Sequence, residues 1–227
     1  MGDLERYIKE RDVLKHWKYF LSLEKRFKET EDYVYHGIAT NGNEISLING
    51  DTYSNNFKQI LILTASEFEC LAKELIGIKK KNTGITVITK GILGKFPRII
   101  ETEIETDYVA IKPLCDWCFD IEKKRRGLIW WDAYNEVKHE GEKAFTRATL
   151  ENCLLAMGSL YVLNLYNIES TMGNLDLPTE TVYFRCQYTT GQVLGYRGSL
   201  PDFGNKKRIE RKEEMEKQVN NIGKKLK

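Results

Sequence analysis

No stretch of this 227-residue sequence approaches the roughly 20 consecutive apolar residues that a membrane-spanning helix requires, so no helical membrane span is expected. The opening residues, Met1-Gly2-Asp3-Leu4-Glu5-Arg6, are charged at once and hold no apolar signal core. Arg6 stands where a myristoylation motif would carry Ser or Thr. The expectation is a cytoplasmic protein with no membrane partner. Histidine is scarce, with three residues, and the five cysteines are odd in number and scattered. In a reducing compartment such cysteines are small buried hydrophobes rather than a disulfide framework. Cys115-Asp-Trp-Cys118 has the spacing of a redox or zinc pair, but no second pair or nearby His completes four ligands. Neither a Gly-rich phosphate loop after a strand nor a nucleophile elbow is present, so a small-molecule enzyme lacks support. No metal and no cofactor are expected.

Apolar residues make up 41% of the chain and aromatics 11%, enough bulk to bury a real core. The net charge of +2 is unevenly spread. Residues 204–227 carry nine Lys and Arg against four Glu, a charge of +5, which leaves −3 for residues 1–203. Any attraction for polyanions is therefore expected in this basic tail, with residues 1–203 as a single domain.

The pattern of apolar residues is mainly helical. Asp3 is suited to start a first helix, and Leu4, Tyr7, Ile8, Leu14, Trp17, Leu21 and Phe27 carry it to about Thr30. Tyr33 to Asn49 switches to period two around Asn41-Gly42-Asn43, which predicts a β-hairpin. Asn55 or Asn56 caps a second helix, with a stripe from Phe57 to Leu75 and a stop at Gly77. Thr86 to Phe96 reads as a short helix ended by Pro97, followed by extended segments at Ile99–Glu105 and Tyr108–Lys112 and a turn or two over Pro113–Ile121. A helix follows from Trp130 to about His139, closed by Glu140-Gly141. The next, Phe145 to about Tyr166, is apolar nearly all round and is expected to be central. Val182–Tyr188 and Gln192–Tyr196 alternate and predict a second hairpin across Thr189-Thr190-Gly191. The tail keeps Ile209, Met215, Val219, Ile222 and Leu226 at rough helical spacing, a helix only if something covers that stripe.

Two histidines offer little chemistry in sequence. His16 sits among Lys15, Trp17 and Lys18 as a solvated or helix-packing residue, and His36 lies in the first hairpin without an acidic or nucleophilic neighbour. His139 differs, because it closes Trp130-Trp131-Asp132-Ala133-Tyr134-Asn135-Glu136-Val137-Lys138-His139. Asn135 and His139 are four apart and share one face of a helix. An amide beside an imidazole can fix the ring for proton transfer, and Lys138 adds a cation for an anionic substrate.

This segment, with Phe145 and Ala148-Thr149-Leu150-x-Asn152 after it, resembles the motif region of HEPN-type helical proteins, in particular branches linked to host defence and toxin–antitoxin systems. The resemblance covers residues 128–166. It implies a mainly α fold, a HEPN-like bundle of four or five helices, with one or two small β-hairpins as insertions. It also implies a homodimer with facing motif helices, RNA as ligand, and a cognate antitoxin or defence-system partner. Active members are metal-independent endoribonucleases whose motif is an Arg, a polar residue, and a His four to six positions after the Arg. On that pattern His139 and Asn135 are the catalytic candidates, and Tyr134 occupies the Arg position. An Arg there would hold phosphate oxygens in a bidentate grip while the His moves the proton of an attacking 2′-hydroxyl. Tyr134 offers one hydrogen bond and no charge. Lys138, Arg126 and Arg147 are the candidates to supply the missing cation to substrate.

The same residues have a structural reading. Trp130, Trp131, Tyr134 and Val137 would pack this helix on the next, and His139 would cap its C-terminus. A non-catalytic dimeric binding or scaffold module of the same fold is the alternative to a ribonuclease.

Overall fold

The computed structural model describes residues 3–42, 44–80, 83–118, 128–175, 177–190 and 200–203. The fold is mainly α, as the sequence predicts. Helix α1 spans Asp3–Lys28, and its residues Val13, Trp17, Phe20, Leu23 and Phe27 recur every three or four positions and are all buried. Helix α2, Asn55–Leu75, is capped by Ser54, whose Oγ accepts the Phe57 N–H at 3.1 Å; the cap is one residue earlier than predicted. It buries a stripe from Phe57 to Leu75 and ends before Gly77, whose φ of +70° suits glycine. The short helix α3, Ile85–Lys95, stops ahead of Pro97 as predicted. Helix α4 covers Ile129–Glu140 and ends at Gly141, with φ +61°.

Helix α5, Leu150–Met172, is the centre of the molecule. Every residue from Asn152 to Tyr166 except Leu155 is buried, and α1, α2 and α4 all pack against it. It starts five residues later than predicted. Residues 141–147 instead form a 3₁₀ turn, because Thr149 supplies the cap by accepting the Asn152 N–H at 3.2 Å. Among the described residues no helix is long and apolar enough to cross a membrane.

The first predicted hairpin is present as β1, Ile38–Asn41, and β2, Glu44–Leu47, paired from Ile38 with Leu47 to Asn41 with Glu44. A second two-stranded ladder joins β3, Ile104–Glu105, to β4, Ala110–Ile111, inside the two segments predicted as extended. Its turn is organised by Thr106 Oγ1, which accepts the N–H groups of Tyr108 and Val109.

The segment Val182–Tyr188 is not the continuous strand predicted. Arg185 bridges Glu105 of β3 instead, and Gln187–Thr190 turn into the short helix α6. The proposed partner strand, Gln192–Tyr196, lies outside the described residues, as does the tail from 204. The physical reason for the difference is Glu24 of α1. Its carboxylate is fully buried and accepts three backbone N–H groups, from Val182 at 3.1 Å, Tyr183 at 2.9 Å and Phe184 at 3.0 Å. Donors that a partner strand would have used are spent on this side chain. Burial raises the Glu24 pKa, against the opposing pull of the three N–H groups. The segment it holds is part of the core, with Tyr183, Phe184 and Cys186 buried and Phe184 stacked on Phe27 and Tyr161. Leu200 is tied down similarly, through its N–H to Glu169, and Asp202 accepts the Tyr166 hydroxyl at 2.8 Å.

Cys153 and Cys186 are buried, whereas Cys70, Cys115 and Cys118 are exposed, so the expectation of small buried hydrophobes holds for two of five. Between Cys115 and Cys118, Trp117 points inward and donates its indole N–H to Thr89 at 2.8 Å. Among the described residues no group of three His, Cys, Asp or Glu is placed to hold a metal ion.

Candidate functional site

Helix α4 presents two faces. Trp130, Trp131, Ala133, Tyr134 and Val137 are buried, and Trp130 donates its indole N–H to Ser159 of α5 at 3.0 Å. Phe68 of α2 meets both tryptophan rings. This inner face fits the structural reading of those residues. The outer face carries Asp132, Asn135, Glu136, Lys138 and His139. Asn135 is half-buried and His139 is exposed, one turn apart on this helix.

The candidate cations are already engaged. Lys138 donates to the Tyr134 hydroxyl at 3.0 Å and sits 5.2 Å from the centre of its ring. That hydrogen bond raises the Lys138 pKa. Arg147, at the end of the 3₁₀ turn, donates to Glu136 at 2.8 Å, and its backbone carbonyl accepts the Asn152 side-chain amide at 2.9 Å. Arg126 lies outside the described residues. Tyr134 is only 3% exposed and packs against Trp131 at 5.1 Å between ring centres. The position that would carry an Arg in the motif therefore faces the core. Asn135, Lys138 and His139 line none of the three clefts described.

Tyr134→Arg is accordingly expected to destabilise rather than to restore a phosphate grip. It would place a second cation beside Lys138 at a buried site, costing about 1–3 kcal/mol. Urea unfolding of the variant measures this, and an unchanged midpoint would show the new side chain escaping to solvent.

Two functional-looking clusters arise where the sequence offered none. His16 is 1% exposed, not solvated. It lies between two carboxylates of α2, with Nδ1 2.5 Å from Glu67 and Nε2 2.8 Å from Glu74. Burial opposes charging the ring, but hydrogen bonds and charge from both carboxylates outweigh it, and the pKa is raised. Glu67 and Glu74 are seven apart, two turns along one face of α2, and that spacing was the available signal.

His36 is also buried, among near neighbours in sequence at residues 27–31 and one distant residue, Tyr183. Thr30 Oγ1 donates to the Phe27 carbonyl, so it accepts from His36 Nε2–H at 2.9 Å. Nδ1 is then the acceptor for the Tyr183 hydroxyl at 3.0 Å, which fixes the neutral tautomer. Burial, with a smaller effect from the Lys28 charge, lowers the His36 pKa to about 4. Glu31, 3.6 Å from Nδ1, is an acidic neighbour that the sequence did not reveal. The His16 cluster ties α1 to α2, the His36 cluster ties the end of α1 to the segment at Tyr183, and neither opens a nucleophile to solvent.

Comparison of the chain with protein-family models, with curated proteins and with solved structures found no match.

Proposed function

We propose that this chain is an RNA-binding, non-catalytic module of HEPN-like fold, working in a prokaryotic defence or toxin–antitoxin type of system. The observation that carries this reading is Tyr134. It stands at the motif position of the phosphate-holding Arg, it is buried, and its hydroxyl is bonded to Lys138. A metal-independent ribonuclease needs a cation poised on the phosphate, and losing one such donor costs about 10²–10³ in rate. The exposed His139, with Lys138 and Lys143 nearby in sequence among Glu140 and Glu142 and with Arg147 held by Glu136, leaves a polar edge of mixed charge at the end of α4. The +5 tail adds a sequence-independent attraction for phosphates. The reading includes a homodimer that pairs the α4 edges and a partner protein that covers them. Light scattering of the purified chain tests the dimer, and a species of 26.4 kDa alone would remove it.

RNA binding is tested by fluorescence anisotropy with a labelled single-stranded oligonucleotide across a salt series. The intact chain is expected to bind with an affinity that falls as salt rises. Removing residues 204–227 should weaken binding and flatten the salt slope while leaving the unfolding midpoint unchanged. Salt-independent binding, or none, would contradict the reading.

A further inference from the structure

Helices α1 and α2 run antiparallel, as two cross-links show. His16 reaches Glu67 and Glu74 at one end, and Arg26 donates to Gln59 at 3.0 Å at the other. On the outer side of this seam the register sets Tyr19 of α1 near Ser66 of α2, and Ser22 of α1 near Leu63. Each large residue meets a serine, and a serine is too small to close the gap. The result is a groove of about 600 Å³ with Tyr19 and Leu63 as its apolar surfaces. Tyr19 is 38% exposed there, so part of its ring is open to a ligand.

The charges along this groove are not symmetric. Lys15 and Lys18 stand three apart on its α1 wall, and both are exposed. Lys15 is only loosely paired, 3.6 Å from Glu74, and Lys18 has no carboxylate partner among the described residues. The one acid in the lining, Glu67, is turned to His16 and answered by it. The groove thus combines an apolar trough with a positive rim in which Lys15 is shared with Glu74 and Lys18 has no carboxylate partner among the described residues.

From this arrangement we propose that the α1–α2 groove is a binding site for a small amphipathic carboxylate, whose apolar body lies between Tyr19 and Leu63 and whose anion is held by Lys15 and Lys18. A site of this size with few, well-placed polar groups is the usual form of a small-molecule pocket. Neither half of the ligand suffices alone: an uncharged chain leaves the lysines unused, and a bare anion stays hydrated.

The test is isothermal titration of the full chain with sodium octanoate, alongside octan-1-ol, acetate and octylammonium. Octanoate is expected to bind with a Kd on the order of 1 mM or tighter, in keeping with its few heavy atoms. Octanol and acetate should bind at least about tenfold more weakly, and octylammonium not detectably, since the rim repels it. Lys18→Glu should weaken octanoate about tenfold or more by reversing the rim charge. Ser66→Phe should do the same by filling the trough, and because Ser66 is exposed its melting curve should match the parent. Lys90→Glu, on the exposed side of α3, controls for net charge and should leave octanoate binding intact. The proposal is overturned if octanoate gives no heat at several times that concentration. It is equally overturned if octanoate still binds Ser66→Phe, or if octylammonium binds as well as octanoate.

Discussion

Glu24→Ala is expected to lower folding stability by about 4 kcal/mol and to free the segment around Tyr183. The carboxylate is the acceptor for three N–H groups, buried at Tyr183 and Phe184 and partly buried at Val182, and leaving a buried donor without a partner costs roughly 1–3 kcal/mol. The sum is reduced because a buried carboxylate is itself costly, as its raised pKa indicates. Glu24→Gln separates these effects. It keeps one oxygen, which can serve Tyr183 and Phe184, but turns an amide N–H₂ toward the Val182 N–H. A smaller loss, about 1–2 kcal/mol, is expected. Urea unfolding gives the energies, and amide exchange at 182–184 shows where protection is lost. A loss below about 1 kcal/mol for the alanine variant would mean that the packing of Tyr183 and Phe184 holds the segment alone.

Stability should also depend on pH through two histidines acting in opposite senses. The His36 pKa is lowered from 6.5 to about 4 in the folded chain. Its contribution is therefore full above 6.5 and is lost as pH falls toward 4, because the unfolded chain takes up the proton first. The shift corresponds to a loss on the order of 3 kcal/mol. His16 behaves in reverse. Its folded pKa is raised, so its contribution is full below 6.5 and is lost as pH rises through the folded value. His36→Phe should flatten the acid limb of the stability curve, and His16→Ala should flatten the alkaline one. At pH 6 the latter should cost about 2 kcal/mol, because Glu67 and Glu74 are left facing each other without the imidazolium. Denaturant unfolding from pH 4 to 9 reads both. An acid limb unchanged in His36→Phe would assign the decline to other groups.

Much of this fold was legible because the helices carry their own instructions. The buried stripes of α1 and α2, the breaks at Gly77, Pro97 and Gly141, and the all-round apolarity of α5 are local patterns. The late start of α5 was missed because Phe145 and Ala148 continue the apolar spacing, while Thr149 decides the start through one cap. Around Val182 the extended pattern was readable but its partner was not. Glu24 lies about 160 residues away in sequence, and no periodicity announces such a contact. The same holds for the carboxylates around His16, 51 and 58 positions away, and for the Tyr183 hydroxyl on His36, 147 positions away, whereas Thr30 and Glu31 beside His36 are near in sequence.

At the candidate site the pairing of Asn135 with His139 on the outer face of α4 follows from helical spacing alone. The engagement of the candidate cations does not. Lys138 folds back on Tyr134 within α4, but Arg147 reaches Glu136 only because the 3₁₀ turn brings the chain back alongside it.

The central claim is that the α4 edge binds RNA without cutting it, and metal-free cleavage assays test it most directly. End-labelled single-stranded RNA is incubated with the intact chain and with His139→Ala in excess chelator, and the products are resolved over hours. The expected result is RNA that both proteins bind and neither cleaves. Cleavage by the intact chain that disappears in His139→Ala, with its fold unchanged by circular dichroism, would contradict the account and make this chain a ribonuclease.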